Sequence, residues 1–260
     1  MKLNIVPART GILWVKLGVK TFLKQPLALT GLFFMYMAGV LVLSQLPLVG
    51  TVLGAMLVPA ATLGLMAATA EAASGRFPMP TVLISAFRAG RQRARAMLVL
   101  GAIYTVGSIL ATLLASVLVG ESGPSLAADS QPAIDTQSLV ALLLHTPLVV
   151  LFWHSPALVH WHGVAPVKSL FFSAVACFRN LGAMLAYGAS WLAVFLVVGF
   201  AFSSVGLMLG GIAVARSVMM PTVLLLVAMF STSLYFTFRD SFQADEPAEP
   251  QPAPPGESAP

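Results

Sequence analysis

Residues 27–70 run LALTGLFFMYMAGVLVLSQLPLVGTVLGAMLVPAATLGLMAATA without a single Asp, Glu, Lys or Arg. A helix needs about 20 apolar residues to cross the hydrocarbon core of a bilayer, so this stretch is long enough to cross twice. Its apolar residues are continuous rather than alternating, which indicates helices rather than strands. With Pro47 in the turn, the sequence predicts a transmembrane hairpin formed by residues 27–46 and 48–70.

Four further uncharged runs have the same length and character, and they predict spans at residues 97–119, 139–159, 181–205 and 217–238. The composition agrees, because 58% of the chain is apolar and 9% is charged, against roughly 25% charged in soluble domains. The predicted fold is therefore all-α, a polytopic membrane bundle of six transmembrane helices within residues 1–242. Residues 243–260 are rich in Pro and Glu, and we expect a disordered cytoplasmic tail there.

The basic residues predict the orientation of the spans. All but one of the 14 Lys and Arg fall on one side of the predicted membrane, and Arg216 is the exception. Loops rich in Lys and Arg stay in the cytoplasm, so this distribution predicts that both termini are cytoplasmic.

Three shorter segments precede the three predicted pairs of spans, at residues 11–25, 80–96 and 166–180. At 100° per residue the first two gather their cations on one face, while the third is more apolar and is expected to be partly buried. This pattern predicts three units, each an interfacial amphipathic helix followed by a helical hairpin. The candidate contacts for anionic lipid are Lys16, Lys20, Lys24, Arg88, Arg91 and Arg95.

Histidines are the most conspicuous candidate ligands inside a span. His145 and His154 are nine residues apart, which places them on opposite faces of a straight helix, and no pair of histidines has the i, i+4 spacing typical of a metal site. We therefore expect no metal site. Instead, we predict that these two side chains form a polar spot within the membrane, with His145 needing a hydrogen-bond partner from a neighbouring helix.

Several motifs carry a resemblance to a known family, among them Pro7-Ala8-Arg9, Trp14, Pro26-Leu27, Ser169-Leu170-Phe171-Phe172-Ser173 and Arg179-Asn180. The chain resembles uncharacterised proteobacterial six-span inner-membrane proteins. It is more distantly similar to the membrane domain found with some glycerophosphodiester phosphodiesterases. The resemblance implies a multi-pass fold in the bacterial inner membrane. The catalytic barrel of those enzymes has no counterpart here, so the resemblance does not imply their activity.

The sequence contains no nucleophile with a base, no paired carboxylates and no phosphate-binding loop, and nothing in it resembles a nucleic-acid-binding motif. We therefore predict a non-enzymatic protein of envelope organisation or assembly, with no catalytic residues and no cofactor. Its predicted partners are the anionic headgroups of the bilayer, with a membrane-protein partner left open and nucleic acid excluded. The alternative is a passive or facilitated transporter or a lipid-handling protein, which the prolines and histidines of the spans would favour.

Overall fold

The structure, a computed structural model, describes residues 2–47, 49–119 and 136–243. The described chain is almost entirely helical, which confirms the predicted all-α membrane bundle. Two short strands, β1 (Lys2–Leu3) and β2 (Phe242–Gln243), and a 3-10 turn at Pro80–Ile84 accompany the helices. The helices are α1 (Arg9–Lys24), α2 (Pro26–Ser44), α3 (Gly50–Ala73), α4 (Ser85–Arg88), α5 (Arg91–Val119), α6 (Thr136–Phe152), α7 (Ser155–His162), α8 (Pro166–Arg179) and α9 (Leu181–Ser241).

Five helical stretches of the described chain are long and apolar enough to cross a membrane: α2, α3, α5, α6 together with α7, and α9. Their outer faces expose many large apolar side chains, such as Leu142 and Phe200. In water such a surface would promote aggregation, whereas in a bilayer it is the surface that contacts the lipid.

Helix α9 is a hairpin, because its backbone leaves the helical conformation at Gly210 and Gly211. Gly211 has φ +71°, a left-handed conformation that glycine adopts without steric cost. The arms, residues 181–209 and 212–241, lie side by side: the Tyr187 hydroxyl is 2.6 Å from the Ser233 Oγ. Each arm exceeds the length that a bilayer requires and contains one of the last two predicted spans.

The first predicted interfacial helix is present as α1, and it is amphipathic as expected. Trp14 is 0% exposed, and its indole Nε1 donates a hydrogen bond to the Asp240 Oδ2 at 2.9 Å, which fixes α1 against the end of α9. Lys16, Lys20 and Lys24 are exposed on the opposite side. One face of α1 therefore packs on the bundle and the other carries positive charge outward.

The second predicted interfacial helix, residues 80–96, is not continuous, and this part of the prediction is wrong. The 3-10 turn and α4 end at Arg88, Gly90 takes φ +101°, and α5 begins at Arg91. The left-handed glycine interrupts the helical path and redirects the chain. Arg91 and Arg95 therefore belong to the first turns of a membrane-long helix, and of the predicted contacts in this segment Arg88 alone lies in the short surface helix.

The third predicted segment forms α8, and its inner face is buried as expected. The Ser173 Oγ donates a hydrogen bond to the Val150 carbonyl at 2.9 Å and accepts one from the His154 amide at 3.0 Å. These bonds satisfy backbone groups that the break between α6 and α7 leaves without helical partners. Burial also raises the pKa of the Cys177 thiol, on the same helix, to about 12.

The two ends of the described chain meet. Strands β1 and β2 pair antiparallel, with Leu3 opposite Phe242, and the Asn4 amide donates to the Ser241 carbonyl at 2.9 Å. Asn180, between α8 and α9, secures the same strand because its Nδ2 donates to the Asn4 carbonyl at 3.1 Å. The N-terminal segment and the end of α9 therefore lie at one end of the bundle. Most of the predicted tail, residues 244–260, lies outside the described residues.

Candidate functional site

A cleft of about 530 Å³ opens where the end of α3 meets the chain that follows it and the end of α7. Two arginines, a serine, a threonine, a histidine and one glutamate supply its polar side chains, and we call it the cationic cleft. Its lining residues are Glu71, Arg76, Phe77, Met79, Thr81, Val82, Ser85, Arg88, Ala89 and His160.

The sequence at the end of α3 places Arg76 at the cleft. The Arg76 amide donates to the Glu71 carbonyl at 2.9 Å, and the Gly75 amide donates to the Ala72 carbonyl at 3.1 Å. With Gly75 at φ +78°, these bonds form a Schellman motif, which satisfies the last carbonyls of the helix and turns the chain outward. The Gln25 Nε2 also donates to the Arg76 carbonyl at 3.1 Å, which links this turn to the junction of α1 and α2.

The segment 80–88 forms another wall of the cleft, and helical spacing brings its polar side chains to one face. Thr81, Ser85 and Arg88 follow one another at four and three residues, so a helical backbone brings them to one face. Pro80 begins the 3-10 turn, a position where its missing amide proton costs nothing. Arg88 on this face is one of the residues predicted from the sequence; Ser85 is not, although the same helical spacing indicates it.

The cleft has an excess of positive charge. The guanidinium groups of Arg76 and Arg88 have no carboxylate partner within the described part of the chain, where Arg239 and Asp240 form the one ion pair. Glu71 contributes a single carboxylate. Two guanidinium groups in an open cleft favour a ligand that carries negative charge.

Two buried polar atoms, in residues that line the cleft, have no hydrogen-bond partner among the described residues: the Ser85 Oγ and the His160 Nδ1. Leaving a buried polar group unsatisfied costs about 1–3 kcal/mol, so each of these atoms would gain from a hydrogen bond with a ligand. A hydroxyl and an imidazole N–H can both donate to phosphate oxygens, as the two guanidinium groups can. The cleft therefore offers the donor set of a phosphate site.

Large apolar side chains surround the cationic cleft. Phe77 is 67% exposed and Met79 is 64% exposed, although both lie within three residues of Arg76. Aromatic and apolar side chains beside cations are typical of a surface that lies at the boundary between headgroups and acyl chains. The composition of this rim favours a ligand that is itself part of the membrane.

The predicted lipid contacts fall into separate patches. Arg88 lines the cationic cleft, while Arg91 and Arg95 are exposed at the start of α5 outside its lining. Lys16, Lys20 and Lys24 border a shallow groove of about 500 Å³ along α1. That groove is lined by α1 alone, whereas the cleft is built from several parts of the chain.

The two span-four histidines have different surroundings. The His145 Nε2 lies 3.3 Å from the Ser108 Oγ on α5, and its Nδ1 lies 2.8 Å from the Ala141 carbonyl oxygen of its own helix. His154 is 0% exposed, packs its ring against Phe238 and Phe242, and has no hydrogen-bond partner for either ring nitrogen among the described residues. The two are nine residues apart in the sequence, with the end of α6 between them. Their predicted joint polar spot stays a prediction.

Metal binding has no support from side-chain placement. Across residues 2–47, 49–119 and 136–243, no three His, Cys, Asp or Glu side chains come together in a way that could hold a metal ion.

Comparison with known proteins places the chain in a family. It is 36% identical over 265 residues to a "probable inner membrane protein" of Burkholderia thailandensis, covering 96% of this chain and 97% of that relative. The chain belongs to this family of inner membrane proteins. The relative's name gives a location without an activity, and the chain matches no family model and no solved structure. The likeness to the membrane domain found with glycerophosphodiester phosphodiesterases is not shown by this match.

Proposed function

We propose that this inner membrane protein binds a phosphate-bearing anionic headgroup in its cationic cleft. The observation that carries the proposal is the convergence of Arg76 and Arg88 with two buried, unpartnered polar atoms, the Ser85 Oγ and the His160 Nδ1. Charged donors and neutral donors around one cavity are what a phosphate group requires. The apolar rim formed by Phe77 and Met79 supports a ligand at the membrane surface.

We also propose that the chain crosses the membrane six times with both termini and the cationic cleft on the cytoplasmic side. The pairing of β1 with β2 supports placing the two termini together. Ala73, at the end of α3, packs in the same hydrophobic cluster as Trp14, which bonds to α9 beside β2, so the cleft opens at that end as well.

A reporter fusion tests this orientation. Alkaline phosphatase fused near Ser130 should be active, because the enzyme folds outside the cytoplasm, and a fusion near Arg91 should be inactive. The opposite activities would contradict the orientation.

We propose that the protein, with its bound headgroup, has a non-enzymatic role in envelope organisation or assembly. The cleft is formed by surface segments at one end of the bundle. This position supports a role in which the protein holds a lipid, and not one in which it moves a lipid across the membrane. A transporter or lipid-handling protein is the second candidate, and the break between α6 and α7 at His154 favours it because transporters use broken helices around their substrates. We propose that any relation to the phosphodiesterase-associated membrane domain concerns the fold and does not extend to activity.

Flux measurements separate the two roles. In proteoliposomes the organising role predicts no protein-dependent movement of phospholipid or solute. Movement that disappears in a His154→Phe variant, while Trp fluorescence shows an intact fold, would favour the transporter.

Removing the two guanidinium charges tests the headgroup proposal directly. We expect an Arg76→Gln/Arg88→Gln variant to bind fluorescent phosphatidylglycerol about tenfold more weakly in neutral detergent micelles. Each cation near an anionic surface contributes about 1 kcal/mol, and solvent screening reduces the sum. A Lys168→Gln/Arg179→Gln variant removes the same charge outside the cleft and should bind as the wild type does. Equal loss in both variants, or no loss in the first, would overturn the proposal.

A further inference from the structure

A second cavity lies on the other side of segment 80–88. It is an apolar groove of about 230 Å³ between α2, α3 and this segment. Met35, Gly39 and Leu43 line it from α2, Leu57 lines it from α3, and Ile84 and Phe87 close it from the segment. We call it the apolar groove.

The cationic cleft and the apolar groove share segment 80–88 as a common wall. Ile84 lines the groove and its neighbour Ser85 lines the cleft; Phe87 and Arg88 repeat this arrangement one turn later. Neighbouring residues on a helix point about 100° apart, so this segment presents a polar face to one cavity and an apolar face to the other. The two cavities therefore adjoin each other on either side of this one segment.

The segment packs against α3 well before that helix ends. A Cβ added at Gly64 would come within 2.8 Å of the Leu83 Cα, so the segment's backbone rests directly on α3 at that position. Gly64 is nine residues before the last residue of α3, which corresponds to about 13 Å along the helix axis. The groove face of the segment therefore packs against the body of α3 and not beyond its end.

We propose that the ligand of the cationic cleft is a membrane glycerophospholipid with one acyl chain in the apolar groove. The inference rests on the proposed headgroup function and names its ligand class. The chemical group that the cleft would recognise is a phosphate ester of glycerol. A soluble glycerol phosphate carries the same group. Charge complementarity selects the phosphate in the cleft, and the adjoining groove selects a ligand that carries an apolar chain.

Gly39 offers a way to fill the groove without disturbing the cleft. A Cβ added at Gly39 meets nothing within 4 Å, so a Gly39→Leu side chain can extend into the groove space. Gly31 lies on the same helix, is equally open and is outside the groove, so Gly31→Leu is the matched control. Both variants replace an exposed helical glycine with a strong helix former, and α2 is expected to remain folded in each.

The experiment titrates each purified variant in neutral detergent with phosphatidylglycerol and, in a separate arm, with glycerol 1-phosphate. Wild type should bind the lipid at least tenfold more tightly than glycerol 1-phosphate. Gly39→Leu should lose about tenfold in lipid binding and keep its binding of glycerol 1-phosphate, while Gly31→Leu should change neither. An Ala61→Phe variant fills the groove from α3 and should behave as Gly39→Leu does.

Several outcomes would overturn the inference. Unchanged lipid binding in both groove variants would do so, and so would wild-type binding of glycerol 1-phosphate as tight as that of the lipid. Equal loss of both ligands in the groove variants would show that the groove is no separate subsite. In all of these cases the headgroup proposal stands if Arg76→Gln/Arg88→Gln still weakens binding. If that variant binds both ligands normally, the headgroup proposal itself fails.

Discussion

The Ser85 hydroxyl is buried without a protein partner, and a ligand phosphate would supply one. Its removal should therefore leave the stability of the lipid-free protein nearly unchanged and weaken lipid binding. We expect Ser85→Ala to leave the melting temperature in lipid-free detergent within about 2 °C of wild type, since no existing bond is lost. The same variant should lose most of the increase in melting temperature that added phosphatidylglycerol produces.

Ser173 is the matched control for Ser85. Its hydroxyl donates to the Val150 carbonyl and accepts from the His154 amide, both inside the bundle. We expect Ser173→Ala to destabilise the protein by about 1–3 kcal/mol in lipid-free detergent and to retain the lipid-induced shift. Thermal unfolding followed by tryptophan fluorescence measures both quantities. Similar behaviour of the two variants would mean that Ser85 has no ligand to bond.

Among the helices, the sequence predicted best where one physical effect dominates. Uninterrupted apolar runs longer than a bilayer crossing leave no alternative to a helix, and a helix covers most of each of these runs. The segment 80–96 was predicted less well, because its cations kept a helical period across Gly90 while the backbone did not. The sequence signal for the break was Gly90 itself, but helical glycines elsewhere in this chain, such as Gly188, look the same in the sequence.

Alanine substitutions at Gly90 and Gly188 separate these two kinds of glycine. A Cβ meets nothing within 4 Å at either position, so steric crowding is equal and the backbone conformation differs. Gly90 has φ +101°, and we expect Gly90→Ala to destabilise the protein by about 1 kcal/mol or more. Gly188 is helical, and Gly188→Ala should stabilise it by about 0.5–1 kcal/mol. Denaturation in mixed micelles gives both values; the same sign for both would contradict the break before α5.

At the scale of the whole molecule, the sequence predicted the plan of the bundle but not its closure. Each pair of membrane-long helices is indeed preceded by a shorter segment, as the three-unit pattern indicated. The contacts that join the first unit to the last were not visible in the sequence. Trp14 bonds to Asp240 and Leu3 pairs with Phe242, and neither partnership has a local periodicity to reveal it. The cationic cleft was found only in part for the same reason, since His160 reaches it from a distant part of the chain.

Cysteine cross-linking tests this closure in native membranes. Directly opposed residues of an antiparallel pair have Cα atoms about 4.5–5.5 Å apart, a separation that a disulfide can bridge. In a Cys177→Ala background, we expect Leu3→Cys/Phe242→Cys to cross-link rapidly with a mild oxidant, because these two residues are partners in the strand register. Lys2→Cys/Phe242→Cys should cross-link much more slowly, since neighbouring residues of a strand point to opposite faces. A protease site engineered between α5 and α6 turns the result into a gel shift, because the cross-linked halves stay joined after cleavage. Equal rates for the two pairs would mean that the ends of the chain are near each other without being paired, and the bond between Trp14 and Asp240 would then be the contact that closes the bundle.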